Sequence, residues 1–141
     1  MFNTIIKATE NFCIHQIRES YLLTQNTIVN KGLVTFIEID IGDDRYNIYI
    51  SYDINFAKKI TKIFLEEEDS DKETLIDMVL ESTNLIVGSA KVIAQDENNL
   101  LFNIGTPNFT NTKIIKTTEN QFQTFIIDDS SLTITYEKID D

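Results

Sequence analysis

A polar stripe along one predicted helix carries the residues best placed to do chemistry. The spacing of apolar residues predicts a long helix over about residues 71–95. Wound at about 100° per residue, this helix gathers its polar or minimal side chains into a stripe about 80° wide. The stripe consists of Asp77, Glu81, Asn84, Gly88, Lys91 and Gln95. The opposite side is the predicted core face, with Leu75, Ile76, Val79, Ile86, Ala90 and Ile93.

Two features of the stripe distinguish it from an ordinary solvated helix face. Gly88 lies in mid-helix, where Gly costs about 1 kcal/mol relative to Ala but lets another backbone come close. Glu81 and Asn84 are three residues apart, so both side chains project to the same patch. A bare E-x-x-N pattern is weak in a chain this rich in Glu and Asn, and a solvated face stays the alternative interpretation.

The elements around this helix follow from alternation, helical periodicity and turn signals. Before the long helix we predict a helix over 3–20, a hairpin of strands 33–41 and 45–52, and a helix that Asp53 caps and that runs to about 66. After the long helix we predict strands over 100–104 and 113–116 and a closing hairpin of strands 121–127 and 132–139. This order predicts an α+β fold with a mostly antiparallel sheet packed against two long helices. Its length predicts one domain over residues 1–141.

Turns and helix starts supply further expectations. Gly42-Asp43-Asp44 turns the first hairpin, residues 128–131 turn the last, and residues 105–107 close the strand before them. Ser70 with Glu73 predicts a capping box for the long helix. A calcium site at Asp69, Asp71 and Glu73 is the alternative, but no Gly turn or later bidentate Glu follows.

The chain has one Cys and one His, which are too few ligands for a structural zinc site. Cys13 falls on the apolar face of the first helix, with Ile5, Phe12 and Ile17, which predicts a buried structural thiol. His15 lies about 200° round from Cys13, on the solvent side, so we expect no functional role for it.

The net charge of −11 limits the classes of partner that the chain can bind. Such a chain repels phosphate backbones and anionic lipid, so we expect neither nucleic acid nor a membrane as partner. The sequence shows no secretory signal and no apolar run of membrane-spanning length, which predicts a cytoplasmic protein. No Ser/His/Asp set or phosphate-binding Gly loop marks a self-contained enzyme.

The segment from Asp77 to Gly88, DMVLESTNLIVG, resembles the active-site helix of the CheC/CheX/FliY phosphatases of bacterial chemotaxis. That family's motif is an Asp or Ser, then E-x-x-N four residues on, often with a small residue shortly after. The order of elements and the segment Ile104 to Pro107 also fit a CheX-type chain. Ser82-Thr83 departs from the small residues common there. Because E-x-x-N occurs once, the resemblance favours the single-site CheX branch over CheC and FliY.

This resemblance implies a phosphatase that hydrolyses the phosphoaspartate of a CheY-type response regulator and so ends a chemotaxis signal. It implies that Asn84 orients the attacking water and that Glu81 pairs with a Lys of the regulator. Asp77, Gly88 and Lys91 would support partner binding. The chain itself would bind no cofactor, since Mg²⁺ is supplied by the response regulator.

Two other hypotheses stay open at this point. The chain could be a non-catalytic adaptor of the same shape that binds a receiver or flagellar protein, or an unrelated α+β domain. A homodimer is a further expectation, because the closing hairpin over 121–139 is apolar on one side and CheX relatives pair through their sheets.

Overall fold

The computed structural model describes residues 1–25, 32–110 and 122–139. Its helices are α1 (Phe2–Asn11), a π-helical segment (Phe12–Ile17) that continues α1, α2 (Ile54–Leu65) and α3 (Lys72–Asn98). Its strands are β1 (Leu22–Thr24), β2 (Gly32–Ile41), β3 (Asp44–Asp53), β4 (Asn103–Ile104), β5 (Asn108–Phe109), β6 (Phe122–Ile127) and β7 (Ser130–Ile139).

The strands form one antiparallel sheet in the order β1-β6-β7-β3-β2-β4, with β5 also paired to β2. The central hairpin pairs Gly32 with Asp53 at one end and Ile41 with Asp44 at the other. Gly42 has a φ of +60°, a left-handed conformation that Gly adopts without a Cβ penalty. The predicted hairpin is therefore confirmed, with a turn of two residues instead of three.

The three helices cover one face of the sheet. Alternate residues of β2 and β3 are buried on that face, as the period of a strand requires. They join helix side chains in a single core that includes Ile5, Phe12, Leu33, Ile37, Ile48, Ile50, Phe56, Ile60, Val79 and Ile86. The predicted α+β class, with a mostly antiparallel sheet packed against helices, is confirmed.

The first helix changes its winding where the sequence predicted a continuous α-helix. Residues 12–17 form a π-helical segment, in which the Arg18 amide donates to the Cys13 carbonyl over 2.7 Å. The wider turn keeps Phe12, Cys13 and Ile17 buried on one face, because π-helical spacing brings residues five apart together. Arg18 caps the helix with a φ of 62°, so the helix ends at Ile17, three residues earlier than predicted.

Asp53 caps α2 as predicted, since its Oδ1 accepts from the Phe56 amide over 2.7 Å. The predicted capping box of α3 is wrong. Asp71, not Ser70, is the capping residue, and its Oδ1 accepts from the Thr74 amide over 2.9 Å. Ser70 instead donates to Glu67. An Asp caps at least as well as a Ser, so the cap moves one residue along.

The segment after α3 is less regular than predicted. Leu100 and Leu101 lie outside any strand, and β4 begins only at Asn103. Ile39 pairs with Ile104 and Phe36 with Asn108, so three residues (105–107) lie opposite two of β2. This is a β-bulge, a position that tolerates a Pro such as Pro107 because no ladder hydrogen bond is needed there.

The closing hairpin is confirmed, but its turn is Asp128-Asp129, because Ser130 and Ser131 already pair within the strands. Each strand of this hairpin is also paired on its outer side. β6 pairs with β1, an element that the sequence analysis missed, and β7 pairs with β3. The predicted strand over 113–116 lies outside the described residues.

Candidate functional site

Helix α3 presents the stripe outward because its other side is packed against the sheet and the neighbouring helices. Four predicted core residues are buried, namely Leu75, Val79, Ile86 and Ala90, whereas Ile76 and Ile93 are half-buried. The buried side also holds Met78, Ser82, Thr83, Val87 and Ala94. The rotation of the helix predicted from its periodicity is therefore confirmed.

Asp77, Glu81 and Asn84 lie exposed along one side of α3 and face the bulge at residues 105–107. Together with Leu80 these residues line an open groove of about 370 Å³. The structure thus brings three of the predicted site residues together. The bulge forms the second wall of the groove, a role that was not predicted for residues 105–107.

Gly88 and Lys91 lie on the same helix but outside the lining of this groove. Among the described residues, no backbone approaches Gly88 closely, since a Cβ added there would contact none of their atoms within 4 Å. Lys91 is half-buried and lies about 10 Å along the axis from Asn84 at 1.5 Å per residue.

The three polar side chains of α3 that line the groove are not bonded to other groups of the described residues. Among the described residues, no hydrogen bond or ion pair holds Asp77, Glu81 or Asn84. A charged carboxylate and an amide that both donates and accepts hydrogen bonds are thus available on a rigid helix. An open groove with such groups suits a protein surface better than an enclosed small molecule.

The two residues between Glu81 and Asn84 are fully buried, and the sequence analysis missed their role. Thr83 Oγ1 lies 2.6 Å from Thr35 Oγ1 of β2 and 2.8 Å from the Tyr52 hydroxyl of β3. Ser82 Oγ is buried and, within the described residues, has no hydrogen-bond partner. The same helical winding that defines the stripe places both residues on the core side, which was the signal for them.

Cys13 is buried, so the prediction of a structural thiol is confirmed. Burial disfavours its thiolate and, with the nearby charge of Glu10, raises the pKa of Cys13 to about 12. His15 is exposed, as predicted. It lines a second groove, of about 320 Å³, between the first helix and α3, opposite Leu85 and Ser89.

Within residues 1–25, 32–110 and 122–139, no group of three or more His, Cys, Asp or Glu side chains is arranged to hold a metal ion. Asp71, a member of the alternative calcium set, instead caps α3. Each helix among the described residues lacks either the length or the apolar character that a membrane span requires.

Comparison with solved structures identifies the fold as that of chemotaxis proteins of the CheC-like class. The chain is similar to the chemotaxis protein CheX of Vibrio vulnificus, with a TM-score of 0.77 and 22% identity over 96% of this chain and 95% of that chain. A CheX from Desulfovibrio desulfuricans matches with a TM-score of 0.73 and 18% identity over 97% of both chains.

A third similar structure is the CheX–CheY–BeF₃–Mg²⁺ complex from Borrelia burgdorferi. It matches with a TM-score of 0.69 and 17% identity over 96% of both chains. Among curated proteins, no sequence matches this one.

The family model described as chemotaxis phosphatase CheX matches residues 33–129, well over half of the chain. The chain belongs to the CheX family, which confirms the resemblance carried by the stripe. An unrelated α+β domain is thereby excluded.

Proposed function

We propose that this chain is a phosphatase that hydrolyses the phosphoaspartate of a CheY-type receiver and so terminates a chemotaxis signal. One observation carries the proposal: Glu81 and Asn84 lie exposed and side by side on a helix whose opposite side is buried. Membership of the CheX family and the CheY in the complex from Borrelia burgdorferi support it. The unit would be one domain over residues 1–141, acting in the cytoplasm.

Asn84 would orient the attacking water. Its amide oxygen accepts a hydrogen bond from the water and brings no negative charge toward the phosphoryl oxygens. The water oxygen then bonds to phosphorus in line with the breaking bond between phosphorus and the aspartyl oxygen. The products are the aspartate carboxylate and inorganic phosphate, which keeps both protons of the water. Because phosphoryl transfer needs little covalent help, placing this water is most of the task.

Glu81 would fix the register of the two proteins by pairing with a Lys of the receiver. A carboxylate desolvated in such an interface is sensitive to the loss of its partner. Asp77 lies one turn before Glu81 on the same side, where it would orient Glu81 or its partner. Gly88 would allow close approach of the receiver backbone, and Lys91 would add a contact at the rim.

The receiver, not this chain, would supply the metal. The groove offers only two carboxylates, Asp77 and Glu81, and they belong to no three-residue cluster among the described residues. The Borrelia burgdorferi complex, which contains CheY, also contains Mg²⁺. Bound to the receiver, Mg²⁺ offsets the negative charge of the phosphoryl oxygens.

A phosphatase assay with phosphorylated CheY-like receivers tests the proposal. The chain should accelerate the release of phosphate, and Asn84→Ala should abolish about 99% of that acceleration, a loss of about 100-fold. Asn98→Ala is the matched control, since Asn98 is an exposed Asn at the far end of the same helix. Binding of the receiver without acceleration would favour the adaptor hypothesis. Full acceleration by Asn84→Ala would refute the mechanism.

A second copy of this chain is a further proposed partner. β1 is an edge strand among the described residues and exposes Leu22 at 71% and Leu23 at 49%, and an exposed apolar edge favours pairing with another strand. Sedimentation equilibrium tests this directly. A dimer that Leu22→Lys dissociates would support pairing at β1, and a monomer at high concentration would exclude it.

A further inference from the structure

A cluster of three buried hydroxyl groups lies beneath the proposed site. Thr83 of α3, Thr35 of β2 and Tyr52 of β3 are each fully buried. Thr35 and Tyr52 lie on neighbouring strands, since Leu33 pairs with Tyr52 and Thr35 with Ile50. They therefore share the face of the sheet that carries α3, and Thr83 Oγ1 meets both.

One arrangement of the protons lets all three hydroxyls donate over 2.8 Å or less. Thr83 donates to the Val79 carbonyl of its own helix over 2.8 Å. Its oxygen has two lone pairs and accepts from Tyr52 at 2.8 Å and from Thr35 at 2.6 Å. The alternative acceptor for Thr35, the Ile50 carbonyl, lies at 3.5 Å and is much the poorer partner. Burial raises the pKa of Tyr52, so its phenol stays protonated and able to donate.

The geometry of the cluster restricts how α3 can rotate on the sheet. Apolar packing is non-directional, whereas hydrogen bonds lose strength as their distance and angle depart from the optimum. Thr83 is the residue directly before Asn84 and two after Glu81, so its direction fixes theirs. A rotation of the helix by about 10° would move a side-chain group about 6 Å from the axis by about 1 Å. A displacement of that size is enough to misplace a reacting group.

We propose that Thr83 is a positioning residue for the reaction proposed above: its hydroxyl, held by Tyr52 and Thr35, fixes the rotation of α3 and with it the aim of Asn84. The inference rests on the proposed function. It also explains the departure from small residues between Glu81 and Asn84, because a Thr at this position can bridge the helix to two strands.

Steady-state kinetics with a phosphorylated receiver tests the proposal through four variants. Thr83→Val keeps the shape of the side chain but removes the hydroxyl, and kcat should fall about 30-fold while KM for the receiver changes less than about 2-fold. Thr83→Ser restores the hydroxyl and should recover most of kcat. Tyr52→Phe is a milder change, because Thr35 still bridges Thr83 to the sheet, and should lower kcat about 5-fold.

Thr124→Val is the matched control for a merely structural effect. Thr124 Oγ1 lies 2.9 Å from Thr133 Oγ1 in a buried pair between β6 and β7. Thr133 is paired with Ser51, the neighbour of Tyr52, so this pair lies on the opposite face of the sheet from Tyr52 and α3. This variant loses a hydroxyl of the same kind and should lose comparable stability, but its kcat should stay within about 2-fold of the parent chain. An equal loss of kcat in Thr83→Val and Thr124→Val, measured on folded protein, would overturn the positioning role.

An NMR measurement separates this inference from the proposed function. In Thr83→Val, the side-chain amide of Asn84 and the backbone amides from Asp77 to Asn84 should shift or broaden, whereas Thr124→Val should leave them unchanged. If the parent chain fails to accelerate phosphate release but these shifts occur, the phosphatase proposal fails while the control of helix rotation stands. If Thr83→Val moves none of these resonances, the positioning role is refuted whatever the activity.

Discussion

The two sides of α3 use polar side chains in opposite ways. On the exposed side, Glu81 and Asn84 have no hydrogen-bond or ion-pair partner within the described residues, and they line an open groove. On the buried side, the Thr83 hydroxyl is fully enclosed and bonded to its own helix and to two strands. A single helix thus separates the groups that are free to meet a partner from the groups that fix its orientation.

This difference predicts how substitutions divide between stability and activity. Exposed substitutions away from caps and networks usually change stability by less than about 0.5 kcal/mol. A buried hydroxyl that loses its partner costs about 1–3 kcal/mol. Apart from the mid-helix Gly88, changes to exposed residues of α3 should therefore alter mainly the interaction with the receiver, and changes on the buried side should alter stability first.

The largest expected effect is on stability, from Ile86→Ala on the buried side. Ile86 is fully enclosed in the core, so its truncation should lower the free energy of unfolding by about 3 kcal/mol. Urea denaturation measures this loss. Leu85→Ala, one residue along and 41% exposed, is the control and should cost less than about 1 kcal/mol. Similar losses in both variants would show that the two sides of α3 do not differ as described.

Glu81→Gln on the exposed side should leave unfolding unchanged and weaken binding. Removing the charge should lower the affinity for a beryllofluoride-activated receiver about 10-fold, because the receiver's Lys would lose its partner. Isothermal titration calorimetry gives the affinity, and Asp96→Asn, an exposed acid on the same helix, serves as control. Equal affinities for Glu81→Gln and the parent chain would remove Glu81 from the interface.

Gly88→Ala should change stability and binding in opposite directions. A Cβ at position 88 would contact no atom of the described residues within 4 Å, so the variant should gain about 1 kcal/mol from helix propensity. If the receiver backbone approaches Gly88, the same methyl group should weaken binding about 5-fold. Ser89→Ala, which faces the second groove, controls for the propensity gain. Unchanged affinity in Gly88→Ala would leave the glycine without a role in docking.

The sequence predicted the structure best where a long hydrophobic pattern was compatible with one orientation of an element. The 3.6-residue period of α3 placed its core and exposed sides correctly, because shifting the pattern would bury Glu81 or expose Val79. The alternation in β2 and β3 similarly showed which of their residues share a face, although the exact pairing shifted with a turn of two residues instead of three. Both elements position the candidate site, so its three central residues were found from sequence.

The missed features depend on contacts between distant residues. β1 is three residues long and is defined by its pairing with β6, about a hundred positions away. The bulge at residues 105–107 arises from register against β2, which local propensity does not encode. The Thr83 cluster likewise joins residues 31 and 48 positions apart. Ser70 and Asp71 are both good capping residues, so local chemistry alone could not choose between them.

The smallest expected effect is a pH dependence of stability that differs between the exposed helix cap Asp71 and the buried helix cap Asp53. The Thr74 amide holds the pKa of Asp71 below its ordinary value of 3.8. A carboxyl whose pKa is lower in the folded state adds stability above the unfolded pKa, and that contribution is lost as pH falls through the folded pKa. Asp71→Asn caps without titrating, so the melting temperature of the parent chain relative to this variant should fall slightly between about pH 6 and about pH 3.

Asp53 should show the opposite slope. Burial raises its pKa, although hydrogen bonds from Phe56 and Ser131 oppose this shift. A carboxyl whose pKa is higher in the folded state binds its proton more tightly there, so its contribution to stability rises as pH falls through that range. The melting temperature of the parent chain should therefore rise relative to that of Asp53→Asn as the pH falls over the same range. Solvent exposure is the property that separates the two sides of α3. If the melting temperature depends on pH in the same direction in both comparisons, solvent exposure does not govern the energetics of these two caps.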